Sequence, residues 1–139
     1  MIVVDTNVWS ETLRPAPDPR VLAWMRSNAR ELFMPALVVH ELAYGVELLP
    51  EGARRAKLAE QITAMIDAVA ERVLPYDAGT ARAHSRLRAE ARRSGREPSA
   101  QDGQIAAHAA AAGARLATRN TADFAGLGVD LINPWVDQD

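Results

Sequence analysis

Four carboxylates in this 139-residue chain, Asp5, Glu41, Asp102 and Asp123, sit at positions from which they could act together. Asp5 closes the β-branched run Ile2-Val3-Val4. Glu41 lies among Leu37, Val38, Val39, Leu42 and Ala43, where a carboxylate is costly to bury unless it is paired or holds a metal. A ligand set made only of oxygen selects a hard cation. Magnesium is held by one or two carboxylates, keeps several waters and often shares its shell with a phosphate; manganese is the alternative ion. Such an ion stabilises charge on a phosphoryl oxygen and activates water, so the chemistry that suits the set is phosphodiester or phosphomonoester hydrolysis. Helix capping competes with this account. Aspartate is a favoured N-cap, and the pairs Ser99/Asp102 and Asn120/Asp123 have the three-residue spacing of a capping box.

Other chemistries find little support. The chain has no cysteine, which removes disulfides, thiolate nucleophiles and Cys-ligated zinc. It has no Gly-x-Ser-x-Gly elbow and no phosphate-cradling glycine loop. His40, His84 and His108 are not at metal-ligand spacing and are expected at the surface or in ordinary packing, with His40 beside Glu41 as a supporting neighbour. Trp9, Trp24 and Trp135 are expected as core or interface anchors rather than base-stacking platforms.

The elements that must position the carboxylates alternate along the chain. Ile2-Val3-Val4 reads as a buried strand, followed by a short helix that is over by Pro15. Asp18-Pro19 starts a helix running to about Asn28, Leu32-Phe33-Met34 is a second strand, and Pro35 opens a helix to about Leu49. Leu58, Ile62, Met65/Ile66 and Val69 mark one amphipathic helix from Ala53 to about Glu71, ahead of a weak strand at Val73-Leu74. A further helix runs from Asp77 to Ser94-Gly95. Another spans Ala100 to Ala112, between Ser99 as N-cap and Gly113 as C-cap. Strands follow at Arg115–Thr118 and Leu131-Ile132, with a one-turn helix after Asn120. Gly45, one turn beyond Glu41, reads as a position of close packing. The alternation, with no hairpin signal, predicts an α/β fold: a three-layer α/β/α sandwich with a mainly parallel central sheet, as one domain over 1–139. In such sheets sites form beyond the carboxyl ends of the strands, where Asp5 and the segment Thr118-Arg119-Asn120 fall.

Composition fits a soluble globular domain: 48% hydrophobic, 24% charged, with a net charge of −2 that makes no case by itself for nucleic acid. The charge is uneven, however. Six arginines between Arg82 and Glu97 face only two glutamates, and Arg82, Arg86 and Arg93 share a helix face that could guide a polyanion. No apolar run approaches the roughly 20 residues of a membrane span, and the N-terminus lacks a basic n-region, so a cytoplasmic protein with no membrane contact is expected.

Taken together, the motifs resemble the PIN-domain family, specifically the VapC-type toxin ribonucleases and their FitB-like relatives. Ile2-Val3-Val4-Asp5-Thr6-Asn7-Val8-Trp9-Ser10-Glu11 is similar to the family's first strand and catalytic aspartate. Val39-His40-Glu41-Leu42-Ala43-Tyr44-Gly45 resembles its helix-borne glutamate, and Ala100-Gln101-Asp102-Gly103-Gln104-Ile105-Ala106-Ala107 its third acidic motif. Ala117-Thr118-Arg119-Asn120-Thr121-Ala122-Asp123-Phe124 resembles the fourth, and Asn133-Pro134-Trp135 the FitB-like ending. FitB-like members can carry the fourth acid directly after Thr-Arg, where this chain has Asn120; many VapC-like members have an aspartate just before Phe, as at Asp123.

The resemblance implies a magnesium-dependent endoribonuclease acting as the toxin of a type II toxin–antitoxin pair. Asp5 and Asp102 would bind the metal, and Glu41 and Asp123 would ligate it or orient the attacking water. Asn7, Thr118 and Asn120 are candidates for contacts to those carboxylates or to substrate phosphate. The resemblance also implies a homodimer, a heteromeric complex with a VapB-like antitoxin, and DNA binding only through that antitoxin. Two other readings stay open. One is a small metal-dependent phosphatase with Asp5 as nucleophile, although Asn7 stands where its second aspartate would be. The other is a non-catalytic antitoxin-docking module acting in operon repression.

Overall fold

The computed structural model describes residues 1–136, so the last three residues of the expected domain lie outside it. Strand β1, Ile2–Val4, is buried at every position. Successive strand side chains point to opposite faces, so full burial of three in a row requires layers on both faces of the sheet. Those layers are helical, which gives the expected α/β/α sandwich. β2 (Leu32–Pro35), β3 (Val73–Leu74), β4 (Arg115–Ala117) and β5 (Leu131–Ile132) complete a five-stranded sheet in the order β3-β2-β1-β4-β5. The sheet was expected to be mainly parallel; every described pairing is parallel.

Four of the helices start where a short polar side chain satisfies a first-turn amide. Asp5 precedes α1 (Thr6–Glu11), and Asp18 caps α2 (Pro19–Ser27), with Pro19 at the first helical position. α3 (Ala36–Glu47) and α4 (Ala53–Ala68) follow; then Asp77 caps α5 (Ala78–Arg93) through the Thr80 amide at 2.9 Å. Ser99 caps α6 (Ala100–Ala112) by accepting from the Asp102 amide at 3.1 Å, and Gly113 ends it at φ 62°. The short α7 (Thr121–Phe124) has Asn120 at its N-cap position without a side-chain cap bond, so the Asn120/Asp123 spacing does not form the capping box it suggests.

Two expectations are corrected. The helix from Ala53 to Glu71 stops at Ala68 and tightens into a 3-10 turn over Ala70–Arg72. Val69 is buried there, and Arg72 donates to the Leu32 carbonyl at 3.0 Å, which draws the chain down onto β2 and into β3. Gly45 is not a close-packed position: a Cβ there would meet nothing within 4 Å. The closely packed mid-helix glycine is instead Gly103 on α6, where a Cβ would lie 3.0 Å from His84 Nε2.

Candidate active site

The sheet order places β1 between β2 and β4. The chain leaves β1 toward one edge and later returns, through α6, to β4 on the other side. Connections diverge at the carboxyl ends of β1 and β4, and such a switch point opens a crevice. Asp5 stands at this point. Its amide extends the ladder to the Ala117 carbonyl at 2.9 Å. Asp5 Oδ1 accepts from the Thr6 amide at 2.7 Å, so the capping account is correct as far as it goes. The other oxygen does something a cap does not need. Asp5 Oδ2 accepts from the Thr118 hydroxyl at 2.8 Å and from Asn7 Nδ2 at 3.3 Å. Asn7 Oδ1 in turn accepts from the Arg119 amide at 3.2 Å, and Thr118 Oγ1 from the Asn120 amide at 3.0 Å. The network fixes the carboxylate and locks the two strand ends together.

Asp5 is only 6% exposed. Burial pushes its pKa up, the bonds from Thr118 and Thr6 pull it back, and the charges of Asp102 and Glu41 push it up further. Asp102 is half-buried; burial raises its pKa, the Ser99 hydroxyl lowers it, and Asp123 raises it. The carboxylates therefore form a chain of mutually felt negative charges: Glu41 and Asp102 act on Asp5, and Asp123 on Asp102. A cleft of about 460 Å³ brings together Asp5, Asn7, Glu41, Asp102 and Asn120, with Arg14, Arg119 and Trp135 also in its wall. Asp123 does not line this cleft. It is exposed and lines a neighbouring groove of about 720 Å³, which shares Asp102 with the first.

The donor set fits a divalent cation. Among the described residues no three acidic or imidazole side chains enclose a ready-made ion cage. Magnesium asks for fewer, one or two carboxylates with water completing its shell. Asp5 and Asp102 supply desolvated, mutually repelling oxygens whose charge a cation offsets. Beside Asp5 in the same cleft, Thr6 Oγ1 is buried with no protein hydrogen-bond partner.

The PIN domain family matches residues 2–128. The chain belongs to that family. It is 42% identical over 137 residues to the VapC ribonuclease Y4jK of Sinorhizobium fredii, covering 97% of this chain and 98% of that protein. Toxin FitB of Neisseria gonorrhoeae is 40% identical over 139 residues, covering 99% and 100%. The solved structure of FitAB bound to an IR36 DNA fragment superposes with a TM-score of 0.94 at 38% identity, covering 100% of this chain and 99% of that one.

Sequence reasoning missed several parts of this PIN domain's cleft. Glu11 is buried at 3% exposure, paired with Arg14 at 3.1 Å and accepting from the Asp18 amide at 3.4 Å. The three-residue spacing from Glu11 to Arg14 was the available signal. Arg119 lies over Trp135, its guanidinium carbon 5.1 Å from the ring centroid. Trp9 and Trp24 are the expected core anchors, and the Trp9 indole donates to the Val4 carbonyl at 3.1 Å. Trp135 is buried too, yet it also walls the cleft. His40 is exposed, stacks on Tyr44 at 5.8 Å and does not line the cleft beside Glu41.

Proposed function

We propose that this protein is a magnesium-dependent endoribonuclease, the toxin of a VapBC-like type II pair, folded as one PIN domain over 1–139. The observation that carries the reading is Asp5: a buried carboxylate at the sheet's switch point, clamped by Thr118 and Asn7, within the fields of Asp102 and Glu41. Asp5 and Asp102 would hold the cation, magnesium or manganese, with Glu41 and Asp123 as further ligands or as the groups that orient the attacking water. Such an ion would supply an acidified water and would offset charge on the phosphoryl oxygens. Water oxygen would attack phosphorus as the bond from phosphorus to the leaving ribose oxygen breaks, and the water's proton would pass to a nearby carboxylate and then to the leaving oxygen, which departs as a hydroxyl. Thr118 and Asn7 keep Asp5 in place, and Asn120 lies within reach of substrate in the same cleft.

The relatives support the biological setting: one is named a ribonuclease, another a toxin, and FitAB is bound to DNA. The partners proposed here are a VapB-like antitoxin in a heteromeric complex, a second copy of the chain, and DNA only through the antitoxin. No described helix is long and apolar enough to cross a membrane, and the proposed compartment is the cytoplasm. The test is cleavage of total cellular RNA by the purified protein, with and without EDTA, beside Asp5→Asn. Mapped cuts that vanish with EDTA and in the variant are expected. Cuts that persist in both would overturn the metal-site assignment.

A further inference from the structure

Two grooves meet at Asp102, the one residue that lines both among the described residues. Each contains a guanidinium with no carboxylate partner among the described residues. In the Asp5 cleft it is Arg119, held over Trp135 at 5.1 Å while its backbone amide is tied to Asn7. A guanidinium held by its face on an aromatic ring keeps its N–H edges free for phosphate. In the second groove it is Arg96, whose Nη1 packs so closely on Gly126 that a Cβ there would lie 2.9 Å away. Gly126 has φ +79°, a backbone conformation that favours glycine, and its missing side chain leaves room for the arginine above it. The one other cation lining these grooves among the described residues, Arg14, is occupied. Arg14 pairs with Glu11 in the first groove, and in the second Glu97 is paired with Arg88 from outside the groove, at 2.6 Å, rather than with its neighbour Arg96.

We infer that Arg119 and Arg96 hold the backbone of a single-stranded RNA on opposite sides of the phosphate that is cut, so that the strand crosses Asp102 from one groove into the other. The inference rests on the ribonuclease reading and extends it to how substrate is gripped. Charge supports it. Among the described residues, and outside the two ion pairs, Asp5, Glu41, Asp102 and Asp123 share these grooves with Arg96 and Arg119 alone, a deficit of two positive charges that one divalent cation would make good. The strand is then admitted with the ion and repelled without it. Arg82, Arg86 and Arg93 line neither groove.

The experiment takes one cut site mapped on natural RNA and measures kcat/KM on synthetic oligoribonucleotides around it: a minimal one, one extended 5′ and one extended 3′. Wild type should gain rate from both extensions. Arg96→Ala should lose the gain from one flank only, about ten- to a hundred-fold, the size of one lost charge-assisted hydrogen bond. Arg119→Ala should lose the gain from the other flank. Arg96→Lys should recover part of it, and Arg82→Ala should keep both gains. An equal loss on all three substrates would make the arginines merely structural, and a loss on the same flank for both, or no loss, would equally overturn the inference. A wild-type protein that cuts no RNA would overturn the ribonuclease reading, and this one with it.

Discussion

Gly103 stands next to Asp102 and packs α6 against α5, so filling its missing side chain tests what holds the third acid in place. In Gly103→Ala the new methyl would sit 3.0 Å from His84 Nε2, 3.4 Å from Pro98 Cγ and 3.6 Å from His84 Cδ2. Alanine gains about 1 kcal/mol over glycine inside a helix. Against that, overpacking costs roughly 1–3 kcal/mol. His84 cannot swing away without loss, because its Nδ1 is bonded to the Tyr76 hydroxyl at 2.9 Å, a bond worth about 0.5–1.5 kcal/mol. The expected net effect is a destabilisation of about 1–2 kcal/mol, read by urea unfolding. At this chain length that is a fall in Tm of roughly 3–8 °C. Burial first, then the nearby Arg88 charge, lowers the His84 pKa from 6.5, so at pH 7.5 the ring is neutral and the measurement concerns shape. In a His84→Ala background the wall is gone and only Pro98 remains close. There the same Gly103→Ala change should be neutral or stabilising, giving a coupling of about 1–2 kcal/mol between the two sites. A Gly103→Ala protein as stable as wild type, or a cost that His84→Ala leaves unchanged, would refute the reasoning.

Raised native pKa values at Asp5 and Asp102 mean that the folded state keeps these protons to higher pH than the unfolded state does. Metal-free stability should therefore fall as pH rises from 3.8 through the raised values, and magnesium should restore it above them; thermal melts in EDTA and in magnesium across pH check both signs. At pH 7 in EDTA, Asp102→Asn should melt at or above wild type. Asp5→Asn should gain less, because three donors converge on that carboxylate and an amide accepts with one oxygen only. Asp123→Asn should lower RNA cleavage more than Asn120→Ala, since only a carboxylate helps hold a divalent ion or polarise its water; the reverse order in kcat/KM would move the fourth site to Asn120. Reversing the exposed Arg82, Arg86 and Arg93 to glutamate should leave stability within about 0.5 kcal/mol. It should weaken RNA binding at low salt but not at physiological salt, where the Debye length is about 8 Å, as binding titrations at the two salt concentrations will show.

What could be read from the sequence was whatever local rules decide. The unbroken β-branched run Ile2-Val3-Val4 reads as a strand covered on both faces, and Asp5 at its end then falls at the edge where sites form. Ser99 and Gly113 bracket α6 and so place Asp102 in its first turn. Charge environment is a different matter, because it is made by residues distant in the chain. The bonds that clamp Asp5 and Asn7 join positions 113, 111 and 112 residues apart, and no periodicity announces them. Gly45 and Gly103 show the same divide: both are mid-helix glycines, and only the packing of α5 on α6 decides which one needs to be glycine. Asp123 shows it again. Its spacing from Asn120 suggested a cap, yet the fold turns it into a second groove where it acts on Asp102. The site is thus a property of the β1–β4 junction rather than of any one motif. Each motif supplies one carboxylate, three of them with a bland local explanation, and only the junction sets them close enough for one charge to raise another's pKa.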